Sequence, residues 1–117
     1  MKLNKITLDT SVVIDEYISK SLLNNSISFN EVIIPVPVID ELQARANKGL
    51  EKGLVRIKEL QKIKQLSEKY NYKVTVLGEK PTLEQIRLAK HGYIDYLIIK
   101  IARDTGSTIL TSDRISS

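Results

Sequence analysis

The short hydrophobic run Lys5-Ile6-Thr7-Leu8 ends on Asp9-Thr10, and Ser11-Val12-Val13-Ile14 follows at once. An apolar run that stops on an acid and passes directly into helical periodicity reads as a buried strand feeding a helix. The last hydrophobic run repeats the form: Ser107-Thr108-Ile109-Leu110-Thr111-Ser112-Asp113. Between them, Glu41 follows the run from Val32 to Ile39, and Asp95 interrupts an apolar helical stretch. In an open parallel α/β sheet, ligands bind beyond the carboxyl ends of the strands, where the strand order reverses. Two acids just past strand ends, joined by two from helices, form the oxygen-lined kind of pocket that hard divalent cations prefer.

The remaining pattern alternates strand and helix. Residues 5–9 read as a strand and 11–23 as one helix, with Val13, Ile14, Tyr17, Ile18 and Leu22 as its inward stripe and Asn24-Asn25-Ser26 as its stop. Glu31 to Val36 is a β-branched strand, and Pro37 suits the first turn of a helix running through Glu41. Gly49 and Gly53 punctuate a turn. Leu54, Ile57, Leu60, Ile63, Leu66 and Tyr70 then define one long amphipathic helix over 54–70, with Lys58, Lys62 and Lys69 outside the stripe. Lys73–Leu77 is a strand, Thr82 and Gln85 form a capping-box pattern before a helix over 83–90, and a second, apolar helix covers 93–104 up to Gly106. Residues 107–110 form the last strand. This alternation predicts a three-layer α/β/α sandwich around a mostly parallel sheet of about four strands, the first strand central.

Composition narrows the chemistry. The chain has 117 residues, 42% of them hydrophobic, which suits one domain with its own core. It contains no Cys and a single His, His91, which excludes disulfides, zinc–thiolate sites and thiol nucleophiles. The longest apolar run falls far short of the ~20 residues of a membrane span, and the start lacks a signal-peptide core. A cytoplasmic protein is the expectation. The net charge of +4 is uneven: residues 45–80 hold ten Lys/Arg and four Asp/Glu, a surplus of +6, and the remainder sums to −2. A basic flank beside an acidic pocket suits a polyanion handled with metal ions, although a Lys-rich solvated helix face explains the charge alone. With five Tyr and one Phe, base stacking is not the expected mode of recognition.

Asp9, Glu41, Asp95 and Asp113 are therefore the candidate catalytic acids, with Asp9, Asp95 and Asp113 the candidate ligands of Mg²⁺ or Mn²⁺. Crowded carboxylates repel one another unless cations neutralise them. Each acid also has a structural reading: Asp9 and Asp113 as turn or cap residues, Glu41 as a first-turn Glu. Asp95, on an apolar helix, needs a partner in any case. Thr10, Ser11, Thr111 and Ser112 supply hydroxyls that either orient the acids or cap helices, and Asp15 is expected as an outer group above Asp9. Glu16, Asp40 and Asp104 are expected to face solvent. Arg45, Lys48 and Lys52 are the candidate nucleic-acid contacts, one and more turns beyond Glu41.

Three segments carry a family resemblance: Leu8-Asp9-Thr10-Ser11-Val12-Val13-Ile14-Asp15, Ile34-Pro35-Val36-Pro37-Val38-Ile39-Asp40-Glu41-Leu42, and Gly92-Tyr93-Ile94-Asp95 with Leu110-Thr111-Ser112-Asp113 eighteen residues on. Together they resemble a PIN domain, the PilT N-terminus family of metal-dependent ribonucleases. The resemblance implies that the family's acidic quartet falls on Asp9, Glu41, Asp95 and Asp113, its first hydroxyl on Thr10 or Ser11 and its T-x-D threonine on Thr111.

A narrower likeness rests on residues 41–49, 78–90 and Thr111-Ser112-Asp113-Arg114. These are similar to archaeal proteins in which a PIN domain precedes a PilT-type ATPase domain and a KH domain. That likeness implies that residues 1–117 form one N-terminal PIN-like domain of a longer, hexameric ATPase acting on nucleic acid, cut before the strand usual after T-x-D. Three functions fit: a nuclease acting on RNA or on single-stranded or branched DNA, an idle interaction or oligomerisation module of a DNA- or RNA-remodelling motor, and a stand-alone toxin ribonuclease.

Overall fold

The computed structural model describes residues 2–47, 51–79, 82–83 and 93–112, with 45–47, 51–57 and 93–95 described by backbone alone. Four strands, β1 (Lys5–Leu8), β2 (Glu31–Pro35), β3 (Lys73–Leu77) and β4 (Thr108–Leu110), form one sheet in the order β3-β2-β1-β4. Every pairing is parallel. The expected fold is present: a four-stranded parallel α/β sheet with β1 inside it.

Burial explains which strands are central. Ile6, Thr7 and Leu8 of β1 are all fully buried, as are Val32 and, nearly, Ile33 of β2. Strands covered on both faces lose the polar alternation of half-exposed ones. The outer strands β3 and β4 keep exposed or half-exposed residues along their length. Thr7 is the polar exception in the centre, and its hydroxyl lies 2.5 Å from that of Ser107, so burial leaves it satisfied.

The helices whose bounds fall among the described residues are α1 (Thr10–Ile14), α2 (Tyr17–Leu23), α3 (Val36–Asn47), α4 (Glu51–Tyr70) and α5 (Tyr93–Thr105). From β1 to β2 to β3 the chain steps outward in one direction, and from β3 it returns across the sheet to β4. Right-handed crossovers then place α1–α4 on one face and α5 on the other. Packing agrees for the most part: α4 lies against α1, α2 and α3, while α5 lies against β1 and β4 and also touches α3. The reversal of direction makes the β1/β4 boundary the topological switch point.

Three helix ends share one device. Asn25, Asn71 and Gly106 adopt positive φ (61°, 57° and 65°) after α2, α4 and α5. The following amides of Ser26, Tyr72 and Ser107 donate back to the carbonyls of Ser21, Ser67 and Ala102. This is the 6→1 bond of a Schellman cap, which satisfies carbonyls the helix leaves open.

The structure corrects the sequence reading in two places. The single helix expected over 11–23 is two helices, broken at Asp15-Glu16, where Glu16 sits in the left-handed region (φ 54°). The break lets α1 bury Val12 and Val13 while α2 buries Ile18 and Leu22; Tyr17, expected inward, is 37% exposed. The long helix begins at Glu51, ahead of the expected Leu54, and carries Gly53 within it. The expected helix over 83–90 falls largely outside the described residues, as do Gly49 and His91. Among the described residues no helix is long and apolar enough to cross a membrane.

Gly78 closes β3 at φ 105°, where an added Cβ would stand 3.0 Å from Ile101 Cδ1 and 3.5 Å from Pro37 Cδ. Gly106 also has positive φ, but nothing lies within 4 Å of its Cβ position. Gly106→Ala therefore meets backbone strain alone, about 1–2 kcal/mol. Gly78→Ala adds a clash with a side chain that must shift, and its expected cost is about 2–3 kcal/mol. Urea unfolding of the two variants checks the order; equal losses would show that Ile101 gives way freely.

Candidate functional site

The site is built where β1 and β4 end. Asp9 follows β1 directly, and its backbone N–H donates to the Leu110 carbonyl at 3.0 Å, extending the β1–β4 ladder by one bond. Asp9 keeps extended dihedrals (φ −82°, ψ 159°) and is the N-cap of α1. The half-buried acid is thus fixed by sheet and helix together.

Its two carboxylate oxygens are used differently. Oδ1 accepts from the Thr10 amide at 2.8 Å. Oδ2 accepts from the Ser11 hydroxyl at 2.9 Å and the Thr111 hydroxyl at 2.8 Å. Those two hydroxyls lie 3.1 Å apart, and the Ser112 amide donates to Ser11 Oγ at 3.0 Å. With a backbone N–H already on its lone pair, the Ser11 hydroxyl directs its own proton to Asp9. A carboxylate offers about four lone-pair sites, two per oxygen. Oδ2 is therefore filled, and among the described residues Oδ1 has one bond and room for a cation.

Glu41 reaches the same region from α3, whose Val38 and Leu42 are fully buried and anchor the helix to the core. The Thr10 hydroxyl donates to Glu41 Oε2 at 3.3 Å. Thr10, itself 7% exposed, therefore joins the two acids, its amide serving Asp9 and its hydroxyl serving Glu41.

The structure thus brings together Asp9, Thr10, Ser11, Glu41, Thr111 and the backbone of Ser112. Ser112 takes part through its amide, and its side chain is exposed. Asp15 does not join the group as expected: it stands exposed at the far end of α1, where its backbone N–H closes the helix on Ser11 and Val13. Glu16, expected in solvent, is half-buried and faces Lys20 at 3.9 Å and Lys62 at 3.7 Å. Asp40 is half-buried too, whereas Asp104 is exposed as expected. Asp95 is the third residue of α5, placed by its backbone. Arg45 and Lys52 are likewise placed by backbone in α3 and α4, and Lys48 and Asp113 lie outside the described residues.

A hard cation suits this donor set, which is made of carboxylate and hydroxyl oxygens. No cluster of three His, Cys, Asp or Glu side chains stands among the described residues; two of the four expected acids have no described side chain.

One buried acid is absent from the sequence-derived set. Glu59 of α4 is fully buried, and its Oε2 accepts from the Ser19 amide at 3.2 Å. The signal was in the spacing: Glu59, Ile63, Leu66 and Tyr70 fall at intervals of four, three and four, which is the inward stripe of the helix.

Comparison with known proteins supports one assignment. A PIN domain family model matches residues 6–115. An uncharacterized KH and PIN-domain containing protein from Methanocaldococcus jannaschii is 43% identical over 111 residues, a match that spans 95% of this chain and 17% of the relative. A solved structure, a domain of a functionally unknown protein from Methanocaldococcus jannaschii, superposes with a TM-score of 0.83 at 43% identity, covering 95% of this chain and 79% of that one. The switch-point acid, its hydroxyl partners and a match over nearly the whole sequence lead to the same conclusion: this chain belongs to the PIN domain family.

Proposed function

We propose that this domain is a metal-dependent phosphodiesterase that cuts RNA, or single-stranded or branched DNA, using Asp9, Glu41, Asp95 and Asp113. The observation that carries the reading is Asp9 at the switch point, with Oδ2 saturated by Ser11 and Thr111 and Oδ1 left with capacity. Asp9, Asp95 and Asp113 are the proposed ligands of Mg²⁺ or Mn²⁺. Such ions, when bound, neutralise phosphate charge and activate water for attack. Ser11 and Thr111 hold the Asp9 carboxylate in one orientation, and Thr10 fixes Glu41 beside it. Arg45, Lys48 and Lys52 guide the phosphate backbone as sequence-independent charges.

The matched relative contains a KH domain, and this chain spans 17% of its length. That proportion supports a domain of a longer protein; its place as residues 1–117 at the N-terminus of a cytoplasmic, oligomeric nucleic-acid-processing protein with a hexameric PilT-type ATPase portion is proposed from the narrower sequence likeness alone. The proportion also keeps a second reading in view: an idle module that serves the remainder of such a protein by contact alone.

Metal binding separates these readings. Ligands that bind only the folded state raise its melting temperature. Mn²⁺ should raise that of the wild-type chain and leave Asp9→Asn unmoved. Ser11→Ala, which removes one of the two hydroxyls on Oδ2, should weaken metal affinity by about 10–100-fold. A wild type without any Mn²⁺ shift, or Asp9→Asn shifting equally, would remove the metal site and favour the idle module.

Nucleic-acid binding is a separate expectation. Arg45→Ala with Lys48→Ala should weaken binding of a labelled single strand and flatten its dependence on salt by about two phosphate contacts. Folding and the Mn²⁺ shift should survive, since neither residue is among the proposed metal ligands. Equal salt slopes in wild type and double variant would mean that this basic stretch does not track the phosphate backbone.

A further inference from the structure

We propose that Glu59 is a proton-sensing brace of the joint between α1 and α2, holding the joint closed while its carboxyl is neutral and admitting water to it when ionised. The geometry is specific. Glu16 occupies the N-cap position of α2 but makes no side-chain cap bond, and it holds left-handed dihedrals. Glu59, from α4, caps in its place: Oε2 accepts from the amide of Ser19, the third residue of α2. Ser19 itself is 4% exposed. Glu59 is 0% exposed, and among the described residues no donor reaches Oε1.

A buried carboxylate oxygen without a donor is costly as an anion and far less so as a protonated acid. Burial accordingly pushes the Glu59 carboxyl above its ordinary 4.5, against the Ser19 hydroxyl and the Ser19 amide, both of which favour the charge. The groups facing it act in both directions. Glu16, at the joint, opposes the charge, and Lys62, one turn along α4, favours it. Tyr72, which follows α4, is itself pushed up to about 12, first by burial and then by the Glu59 charge. No residue of α1 titrates, and Asp15 at its end is exposed.

Lys62 already lies 3.7 Å from Glu16. An ionised Glu59 must therefore take Lys62 from Glu16 or draw in water, and either change loosens the residue that carries the break. Asp9 caps the other end of α1, so the brace stands one short helix from the candidate site. The inference does not depend on that site being catalytic.

The sign follows from linkage. The folded state holds the Glu59 proton more tightly than the unfolded chain, where the carboxyl has its ordinary value. The contribution is complete below pH 4.5 and is lost as pH rises through the elevated folded-state value. Urea unfolding of wild type and Glu59→Gln across pH 4 to 8 tests it. The ratio of their unfolding constants should climb with pH by up to about tenfold per pH unit, then level off. A ratio constant across the range would overturn the proposal. Should Glu59→Gln fail to fold, the wild-type Glu59 side-chain carboxyl can be titrated directly by carbon NMR. A midpoint above 4.5, with faster exchange of the Ser19 amide on ionisation than its own pH dependence explains, is expected; a midpoint at or below 4.5 would overturn it.

Discussion

The parallel contact between β1 and β4 is the constraint on which the rest depends. It joins segments about a hundred residues apart in sequence, with Ile6 beside Thr108 and Leu8 beside Leu110. The Asp9 amide prolongs it onto the Leu110 carbonyl at 3.0 Å. Because this bond belongs to the backbone, it sets Asp9 next to Thr111 before any side chain chooses a partner. The hydroxyl contacts of Ser11 and Thr111 then follow from strand register. A one-residue slip of β4 would turn each of its side chains to the opposite face and take Thr111 away from Asp9.

A second constraint is the cover on the α1–α4 face. One twenty-residue helix, α4, spans this face and contacts the three helices before it. To lie beneath it, the 10–23 segment bends at Glu16, leaving the start of α2 without a cap from its own sequence. An unsatisfied buried helix end is unfavourable, and α4 supplies the missing acceptor from Glu59. The same helix sends Lys62 to the Glu16 side chain. At its far end, the Tyr72 hydroxyl donates to the Ile63 carbonyl, and the Tyr72 ring lies 4.7 Å from that of Phe29. The polar contacts of α4 therefore cluster around its middle, at Glu59, Lys62 and the Ile63 carbonyl, where the Ile63 side chain is also fully buried.

The legible parts of this fold were those written in periodicity. Val32-Ile33-Ile34 announces a strand buried on both faces, and Asn25 and Gly106 mark helix ends because few other residues accept positive φ. The acids Asp9 and Glu41 were legible because they follow apolar runs; switch-point topology accounts for Asp9 beside Thr111, whereas Glu41 comes from α3 after β2 and is tied in through Thr10. The break at Glu16 was not legible. Tyr17 continues an unbroken i, i+4 stripe, and the acceptor that serves the start of α2, Glu59, lies forty residues away in sequence. Asp15 was misplaced for a different reason: six residues of helix turn through about 600°, which carries it well off the Asp9 face whether or not the helix continues. Glu59 lay in plain spacing, but a Glu in a Lys-rich helix reads as solvated until the neighbouring helix end that needs an acceptor is known.

The order of dependence within the candidate site has a chemical consequence. Thr10 carries two attachments, amide to Asp9 and hydroxyl to Glu41, and it is nearly buried. Ser11 carries two others, hydroxyl to Asp9 and acceptor to the Ser112 amide. Adjacent residues at one helix start thus divide the work, one tying β1 to α3 and the other tying β1 to the chain leaving β4. Donors that already saturate Asp9 Oδ2 fix the direction in which Oδ1 presents its remaining lone pair. Orientation set by hydrogen bonds in advance does not have to be set by an arriving cation, and a ligand that needs no reorientation loses less entropy on binding. The polar residues at the end of β1 are therefore better understood as one preorganised carboxylate than as an assortment of caps.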